Sequence, residues 1–267
     1  MMIQHAVYKM LELFASNHNQ KKISNLILEG QKDLKTQKES SIIVFDVGCY
    51  KGTWSSKIFE IFKLKYKKEI YLHLFDVNPK STIYLKKILK KNNIVFNNLA
   101  LCEEKGEKIF YLNNFFEPSG SSLDTVYMND KLWVKSRKLF MQFFSLRKLK
   151  DFSTIKVNTE TLDNYCKFNN IEKIDVLKMD VEGSEKRVLF GATGMLKKIK
   201  IIYTEIVEKK EIFEQKENEI KKFLEKNNFF FFQKENITSV STISNVFAKD
   251  YIFLNKDFFD QERWPSG

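Results

Sequence analysis

Acidic residues and glycines follow two apolar runs early in the chain. Asp46 lies in the run SIIVFDV (41–47), and Gly48 and Gly52 come directly after it. Asp76 stands at the end of the next apolar run. Glycines after a strand let ligand atoms approach the backbone and expose the amides that open the following helix. A carboxylate at the end of a second strand accepts hydrogen bonds from a ribose diol. These residues therefore indicate a site for a ligand that carries a ribose.

The spacing of the glycines restricts the identity of that ligand. The pattern D-x-G-x-x-x-G differs from the G-x-G-x-x-G of dinucleotide enzymes, and no G-K-[ST] follows it as in a P-loop. An adenosine without phosphates is favoured over a pyrophosphate, and S-adenosylmethionine fits this description. A tight strand-to-helix turn with no ligand is the alternative, and the acid at the second strand argues against it.

A second group of charged residues, in the stretch KMDVEGSE, contains Lys178, Asp180, Glu182 and Glu185. Methyl transfer from a sulfonium is a displacement that requires a positioned acceptor, and a carboxylate that takes the proton of an alcohol assists it. Glu205 ends the next predicted strand and could reach the same crevice. The alternative is that the acids are N-terminal helix charges, which we favour for Glu185, and that Lys178 simply pairs with a carboxylate.

Carboxylates in such a group are also candidate ligands for Mg²⁺, because hard cations prefer oxygen. No histidine or asparagine completes an obvious set of ligands. We therefore expect no metal site, with Mg²⁺ as the less favoured alternative.

The elements that position these residues alternate between strand and helix. Such alternation is typical of a parallel sheet covered by helices on both faces, an α/β fold. Because no helix precedes the last strand, we expect that strand to be antiparallel in a seven-stranded, mostly parallel sheet. Strands are predicted at 41–47, 69–77, 93–101, 171–180, 198–206, 227–233 and 246–255, and helices at 53–63, 79–91, 183–192 and 211–226.

Two regions lie outside this alternation of strands and helices. Residues 1–40 are predicted to form a helical extension, with an amphipathic helix at 3–14, ahead of a domain at 41–267. An insertion is predicted at about 107–160. It contains the basic segment 131–150, which could pack on the domain, cover the acceptor, or contact a membrane surface.

The composition suggests a cytoplasmic protein. The chain has 267 residues, a formal net charge of +11, and three widely spaced cysteines without metal or disulfide spacing. No apolar run reaches the ~18 residues of a membrane span, and the N-terminus lacks the features of a secretory signal. The basic charge permits phosphate-bearing partners, but it is spread over many short clusters.

Several ordered motifs over roughly residues 41–206 resemble those of FkbM-type S-adenosylmethionine-dependent methyltransferases. The motifs are FDVGCYKGTWS, HLFDVNP, VNTETLDNY, IDVLKMDVEGSEKRVLFGA and IIYTEI. The sequence departs from the family at Tyr50, where Asn is common, and at Asp76-Val77, which replaces Glu-Pro. The resemblance implies a Rossmann-like class I fold, cofactor binding by Asp46, Gly48, Tyr50, Gly52, Asp76 and Asn78, and catalysis by Lys178, Asp180, Glu182 and Glu205.

The function that this resemblance implies is O-methylation of a hydroxyl on a sugar, glycan or related natural product, in polysaccharide biosynthesis. An RNA methyltransferase is the alternative, although the chain lacks both the N/D-P-P-Y/F motif and the P-C pair of nucleic-acid methylation. A cofactor-binding scaffold without activity is a third hypothesis. The expected partner is a small-molecule or glycan acceptor, not a nucleic acid.

Overall fold

The computed structural model describes residues 23–27, 41–65, 67–86, 93–114, 120–132, 134–135, 138–139, 151–235 and 245–262. Most of the predicted 1–40 extension, including its 3–14 helix, lies outside this range, and residues 23–27 are helical. The strands are β1 Ser41–Val47, β2 Glu69–Phe75, β3 Ile94–Asn97, β4 Ala100–Leu101, β5 Gly106–Asn113, β6 Phe152–Glu160, β7 Ile174–Met179, β8 Ile199–Lys209, β9 Phe229–Glu235 and β10 Val246–Asn255. The helices are α1 Thr53–Glu60, continued by a π-helical turn at Ile61–Lys65, α2 Ser81–Leu85, α3 Leu162–Phe168, α4 Glu185–Phe190 and α5 Phe213–Lys226.

Seven strands form the main sheet in the order β3-β2-β1-β7-β8-β10-β9. The first five in this order run parallel, and β10 is antiparallel to both of its neighbours. The predicted seven-stranded, mostly parallel sheet with an antiparallel last strand is confirmed. Its strand order reverses between β1 and β7, which is where an open α/β sheet binds its ligands.

Helices cover both faces of this sheet because the side chains of each strand alternate between them. Phe45 and Val47 of β1 pack with residues of α3, α4 and α5 in one buried cluster. Ile42 and Val44 of the same strand pack with α1 and with residues 23–27 in the other. Since β1 is buried on both faces, it reads as a continuous apolar run, and the prediction of an α/β fold is confirmed.

The predicted third strand, 93–101, divides into two. Its first part, β3, pairs with β2 in the main sheet, whereas β4 pairs with β6 of a separate three-stranded sheet of order β4-β6-β5. Strands β5 and β6 come from the region predicted as an insertion and pair antiparallel with each other. The partner of β4 is thus more than 50 residues away, and the apolar pattern of 93–101 carries no sign of it.

The predicted fifth strand is longer than expected. β8 continues to Lys209, so Glu205 lies inside the strand and not at its end. The reason is the ladder with β10, which pairs Val246 with Lys209 and Asp250 with Glu205. Among the described residues no helix is long and apolar enough to cross a bilayer.

Candidate functional site

The turn after β1 is held by the ends of both neighbouring strands. The backbone N–H groups of Gly48 and Cys49 donate to the carbonyl oxygen of Phe75 at 2.9 and 3.1 Å. On the other side, the N–H of Asp180 donates to the carbonyl oxygen of Val47 at 2.9 Å. Gly48 has a φ of 78°, and a Cβ there would lie 1.8 Å from the carbonyl oxygen of Asp180. This position therefore requires glycine, and the turn brings the two acidic regions of the sequence together.

Asp76 fixes the geometry of the predicted cofactor crevice. Its two carboxylate oxygens accept hydrogen bonds from the N–H of Tyr50 and the N–H of Asn78, both at 2.7 Å. The side-chain oxygen of Asn78 accepts from the N–H of Lys80 at 3.0 Å, ahead of α2. Burial raises the pKa of Asp76. Each carboxylate oxygen has a second lone pair, so Asp76 can still accept hydrogen bonds from a diol.

Tyr50 makes its contact with Asp76 through the backbone. Its φ of 41° lies in the left-handed region, which asparagine adopts more readily than most residues. Its ring meets that of Tyr84 edge to face, with centroids 5.5 Å apart. The hydrogen bond to Asp76 is therefore compatible with tyrosine at a position where the resembling family has asparagine. Gly52, with a φ of 67°, caps the start of α1.

Asp46 and Lys178 form a buried ion pair between β1 and β7. The parallel register places them side by side, with Lys178 Nζ 3.0 Å from Asp46 Oδ1. Ser55 Oγ donates to the other oxygen of Asp46. Lys178 Nζ also lies 3.4 Å from Oδ2 of Asp180. Burial lowers the pKa of Lys178, but the charges of Asp46 and Asp180 outweigh it and raise the pKa overall.

A group of four carboxyl side chains lies beyond this pair, where β7 ends and β8 and β10 run on. Asp180 and Glu205 share a hydrogen bond, and Asp250 lies opposite Glu205 on β10. Burial, together with the charges of Asp180 and Asp250, raises the pKa of Glu205 well above its usual value. Burial and the charge of Asp180 also raise the pKa of Glu182, to about 7. Close carboxyl groups thus keep part of the group protonated at neutral pH.

The segment 120–130 lies directly on the loop that carries Glu182. The N–H of Gly120 donates to Glu182 Oε1 at 2.8 Å, and the hydroxyl of Tyr127 hydrogen-bonds the same carboxylate. Ser122 Oγ donates to the carbonyl oxygen of Val181 at 3.0 Å. Through Gly120 and Tyr127 this segment contacts a candidate catalytic acid.

The structure brings together Lys178, Asp180, Glu182 and Glu205, all of which the sequence singled out. It adds Asp250 and Tyr127, which the sequence reasoning missed. Asp250 stands in an apolar strand, and Tyr127 lies in the region predicted as an insertion. The sequence around them does not indicate a site, because Asp250 reaches the acids through the β8–β10 register and Tyr127 through the fold of 120–130.

Glu185 belongs to a different set of contacts. It is fully buried, its Oε1 accepts from the N–H of Gly183 at 2.7 Å, and its Oε2 lies 2.8 Å from Lys216 Nζ. Lys216 also donates to the carbonyl oxygens of Gly183 and Val207 at 2.6 and 2.7 Å. Glu185 stands in the first turn of α4, as expected for a helix N-terminal charge, and its buried pair with Lys216, which the sequence did not indicate, joins α4 to α5.

In the part of the chain that the structure describes, no three histidine, cysteine or acidic side chains are arranged to hold a metal ion. Of the basic segment 131–150, Lys131 and Lys135 are exposed, and Lys138 lies 2.6 Å from Asp151. Leu132 and Leu139 of this segment are exposed, and residues 133, 136–137 and 140–150 lie outside the described residues. Contact of this segment with a membrane stays a prediction.

The buried pair leads to a test of stability. Replacing Lys178→Met leaves Asp46 buried without its cation, and loss of one partner from a buried pair costs about 3–5 kcal/mol. We expect the free energy of unfolding, measured by urea denaturation at pH 7, to fall by that amount.

Lys186→Met is the matched control. Lys186 pairs with Glu219 at 2.5 Å, but both side chains are exposed, by 38% and 42%. Such a pair contributes no more than about 1 kcal/mol, so this variant should stay near the wild type. Equal losses of unfolding free energy in the two variants would show that the buried Asp46–Lys178 pair stabilises the protein no more than the exposed pair does.

The profile of the Methyltransferase FkbM domain matches residues 46–231. The 2-O-methyltransferase NoeI of Sinorhizobium fredii is 22% identical over 171 residues, which are 61% of this chain and 62% of NoeI. The chain therefore spans less than two thirds of the length of that relative.

Solved structures are similar only at the level of the fold. A putative RNA methyltransferase from Pyrococcus horikoshii has a TM-score of 0.38 at 12% identity, over 88% of this chain and 81% of that one. The DszA carbon methyltransferase has a TM-score of 0.43 at 11% identity, over 92% of this chain and 57% of that one. Scores this low carry no argument about activity. The FkbM profile, in contrast, matches more than half of the chain, and the chain belongs to the FkbM methyltransferase family.

Proposed function

We propose that this chain is an S-adenosylmethionine-dependent O-methyltransferase that acts on a hydroxyl of a sugar, a glycan or a related natural product. The observation that supports the proposal is the position of the four carboxyl side chains of Asp180, Glu182, Glu205 and Asp250, which we call the carboxyl group cluster. Asp180 and Glu182 directly follow β7, and a backbone hydrogen bond joins Asp180 to the end of β1, beside the glycine turn. A cofactor crevice and a candidate base thus meet at the point where the strand order reverses.

The residues of the crevice fit S-adenosylmethionine. Gly48 lets the turn approach the carbonyl oxygen of Asp180 closely, and the carboxylate of Asp76 has lone pairs for a ribose diol. When bound, S-adenosylmethionine supplies an electrophilic methyl group. The protein then has to hold an acceptor oxygen in line with that methyl and remove the proton of the hydroxyl.

Glu182 is the group best suited to accept that proton. Its pKa of about 7 lets it be ionised near neutral pH while remaining a stronger base than an ordinary carboxylate. Asp180 is already engaged by Lys178 at 3.4 Å and by the carboxyl of Glu205. We therefore assign proton removal to Glu182 and positioning of the acceptor to Asp180 and Glu205.

The carboxyl group cluster also bears on the class of acceptor. Carboxylates accept hydrogen bonds from several hydroxyl groups at once, which suits a sugar, and they repel the phosphates of a nucleic acid. The name of NoeI, a 2-O-methyltransferase, supports an oxygen acceptor. The net charge of +11 favours the alternative, an RNA methyltransferase, because basic proteins attract phosphates.

An assay with methyl-labelled S-adenosylmethionine distinguishes these acceptors. We expect label in neutral mono- and oligosaccharides and none in RNA, with the same turnover in the presence of EDTA. Labelled RNA would contradict the sugar hydroxyl, and a loss that Mg²⁺ restores would reassign the carboxylates to metal binding. Bound cofactor without transfer to any acceptor would favour the scaffold.

The glycine turn is tested by cofactor binding alone. In Gly48→Ala the new Cβ collides with the backbone at Asp180 and the left-handed φ becomes strained, so the affinity for S-adenosylhomocysteine should fall by about 100-fold or more. Isothermal titration measures this, together with a melting curve to establish folding. Gly194→Ala is the control, because its Cβ would lie 3.1 Å from the carboxylate of Asp163, away from the glycine turn, and its φ is not in the left-handed region. Wild-type affinity in folded Gly48→Ala would place the cofactor elsewhere.

The role of Glu182 is tested by pH dependence. Because the base must be ionised, kcat/KM should rise with pH through about 7 and be lost below it. Glu182→Gln removes the base but keeps its shape, and should lower kcat by about 10²–10⁴-fold with little change in cofactor affinity. Glu219→Gln, at an exposed site, is the control. A Glu182→Gln enzyme with wild-type kcat would show that this carboxylate is not the base.

A further inference from the structure

The segment 120–130 is anchored at three places around the candidate active site. Ser122 and Tyr111 exchange backbone hydrogen bonds of 2.8 and 3.1 Å, which tie the segment to β5. The hydroxyl of Ser122 also lies 3.1 Å from that of Ser184, just before α4. At the other end, Asp130 Oδ2 accepts from the N–H of Asn245 at 2.8 Å, next to β10. The segment therefore bridges the second sheet, the Glu182 loop and the far side of the main sheet.

Tyr127 lies in the middle of this bridge. Its ring packs against a small apolar cluster formed by Val126, Val207, Val246 and Ala248, at the ends of β8 and β10. Its hydroxyl hydrogen-bonds the carboxylate of Glu182. Packing of the ring thus determines where the hydroxyl stands.

The backbone at Glu182 needs such support. Its φ of 53° is in the left-handed region, which a residue with a side chain adopts only when its surroundings impose it. The next residue, Gly183, would place a Cβ 3.0 Å from the side chain of Val126, so segment and loop are in close contact. The N–H of Gly120 and the hydroxyl of Tyr127 approach the carboxylate from this segment.

We propose that Tyr127 is a positioning residue of this enzyme, whose hydroxyl, with the N–H of Gly120, holds the carboxylate of Glu182 in the orientation that receives the acceptor proton. The assignment rests on the proposed function, in which Glu182 is the base. It gives the inserted segment 120–130 a role in the reaction, beyond packing on the domain.

The charges around Glu182 explain why two donors are needed. Asp180 after β7 and Glu185 of α4 are both acidic and disfavour a further negative charge. Glu205 of β8, which faces Asp250 of β10, is a third acidic neighbour. Tyr127 acts in the opposite direction, since a donor to the charged form favours that form and lowers the pKa of Glu182.

The test is the titration of Glu182 in a protein labelled with ¹³C at the glutamate carboxyl carbons. The resonance of Glu182 is the one missing in Glu182→Gln, and its midpoint is expected near 7 in the wild type. Tyr127→Phe keeps the ring and removes the donor, so the midpoint should rise by about one pH unit. Tyr71→Phe, which changes an exposed tyrosine on β2, should leave it in place.

A second variant keeps the test valid if the phenylalanine form does not fold. With 3-fluorotyrosine at position 127, the more acidic phenol is a stronger donor, and the midpoint should fall below that of the wild type. A midpoint that both changes leave unmoved would overturn the proposal.

Kinetics then separates this inference from the proposed function. If Glu182 is the base, the acid limb of kcat/KM should move to higher pH in Tyr127→Phe, together with the carbon-13 midpoint. A shifted midpoint with an unshifted limb would retain the hydrogen bond but refute its part in the reaction. An absence of turnover with every acceptor would refute the function, while the titration alone would still test the orientation of Glu182.

Discussion

The ion pair between Asp46 and Lys178 is the interaction on which the candidate site depends. It joins β1 to β7, the two neighbours between which the strand order reverses, and it lies where both are fully buried. A charge in such a place is tolerated only when it is paired and hydrogen-bonded, and here Ser55 satisfies the second oxygen of Asp46. The register that the pair requires also places the glycine turn next to Asp180.

Lys178 connects this buried pair with the candidate catalytic acids that follow β7. Its ammonium group lies 3.0 Å from Asp46 and 3.4 Å from Asp180, so the same cation serves the core and the crevice. Beyond Asp180, Glu205 and Asp250 face each other across β8 and β10. Burial and the charges of Asp180 and Asp250 raise the pKa of Glu205, and a raised carboxyl pKa is what a general base at neutral pH uses.

The region predicted as an insertion contributes two strands to a second sheet beside the main one. Strands β5 and β6 form a platform with β4, and the segment 120–130 returns from it to the loop of Glu182. Connecting segments beside a site often carry function, and this one packs on the ends of β8 and β10 as well as on the loop of Glu182. This is where differences in acceptor among proteins of this fold are expected to arise.

Much of the fold was available from the sequence because it depends on local patterns. The apolar runs of the strands, their alternation with helices and the lack of a predicted helix before 246–255 are short-range signals, and they predicted seven strands and the antiparallel last one. The glycine turn after β1 was also visible locally, from the spacing of Asp46, Gly48 and Gly52, whereas the close approach of Gly48 to the carbonyl oxygen of Asp180 is a tertiary contact.

Tertiary structure decided the contacts between distant segments. The division of 93–101 follows from a partner strand that begins at Phe152, and the place of Glu205 within β8 follows from its ladder with β10. Tyr127 and Asp250 carry no local pattern, and only packing brings them to the acids. Periodicity reports which face of an element is buried, whereas the pairing of segments far apart in the chain depends on register and on the fold of the insertion, which no short window of sequence contains.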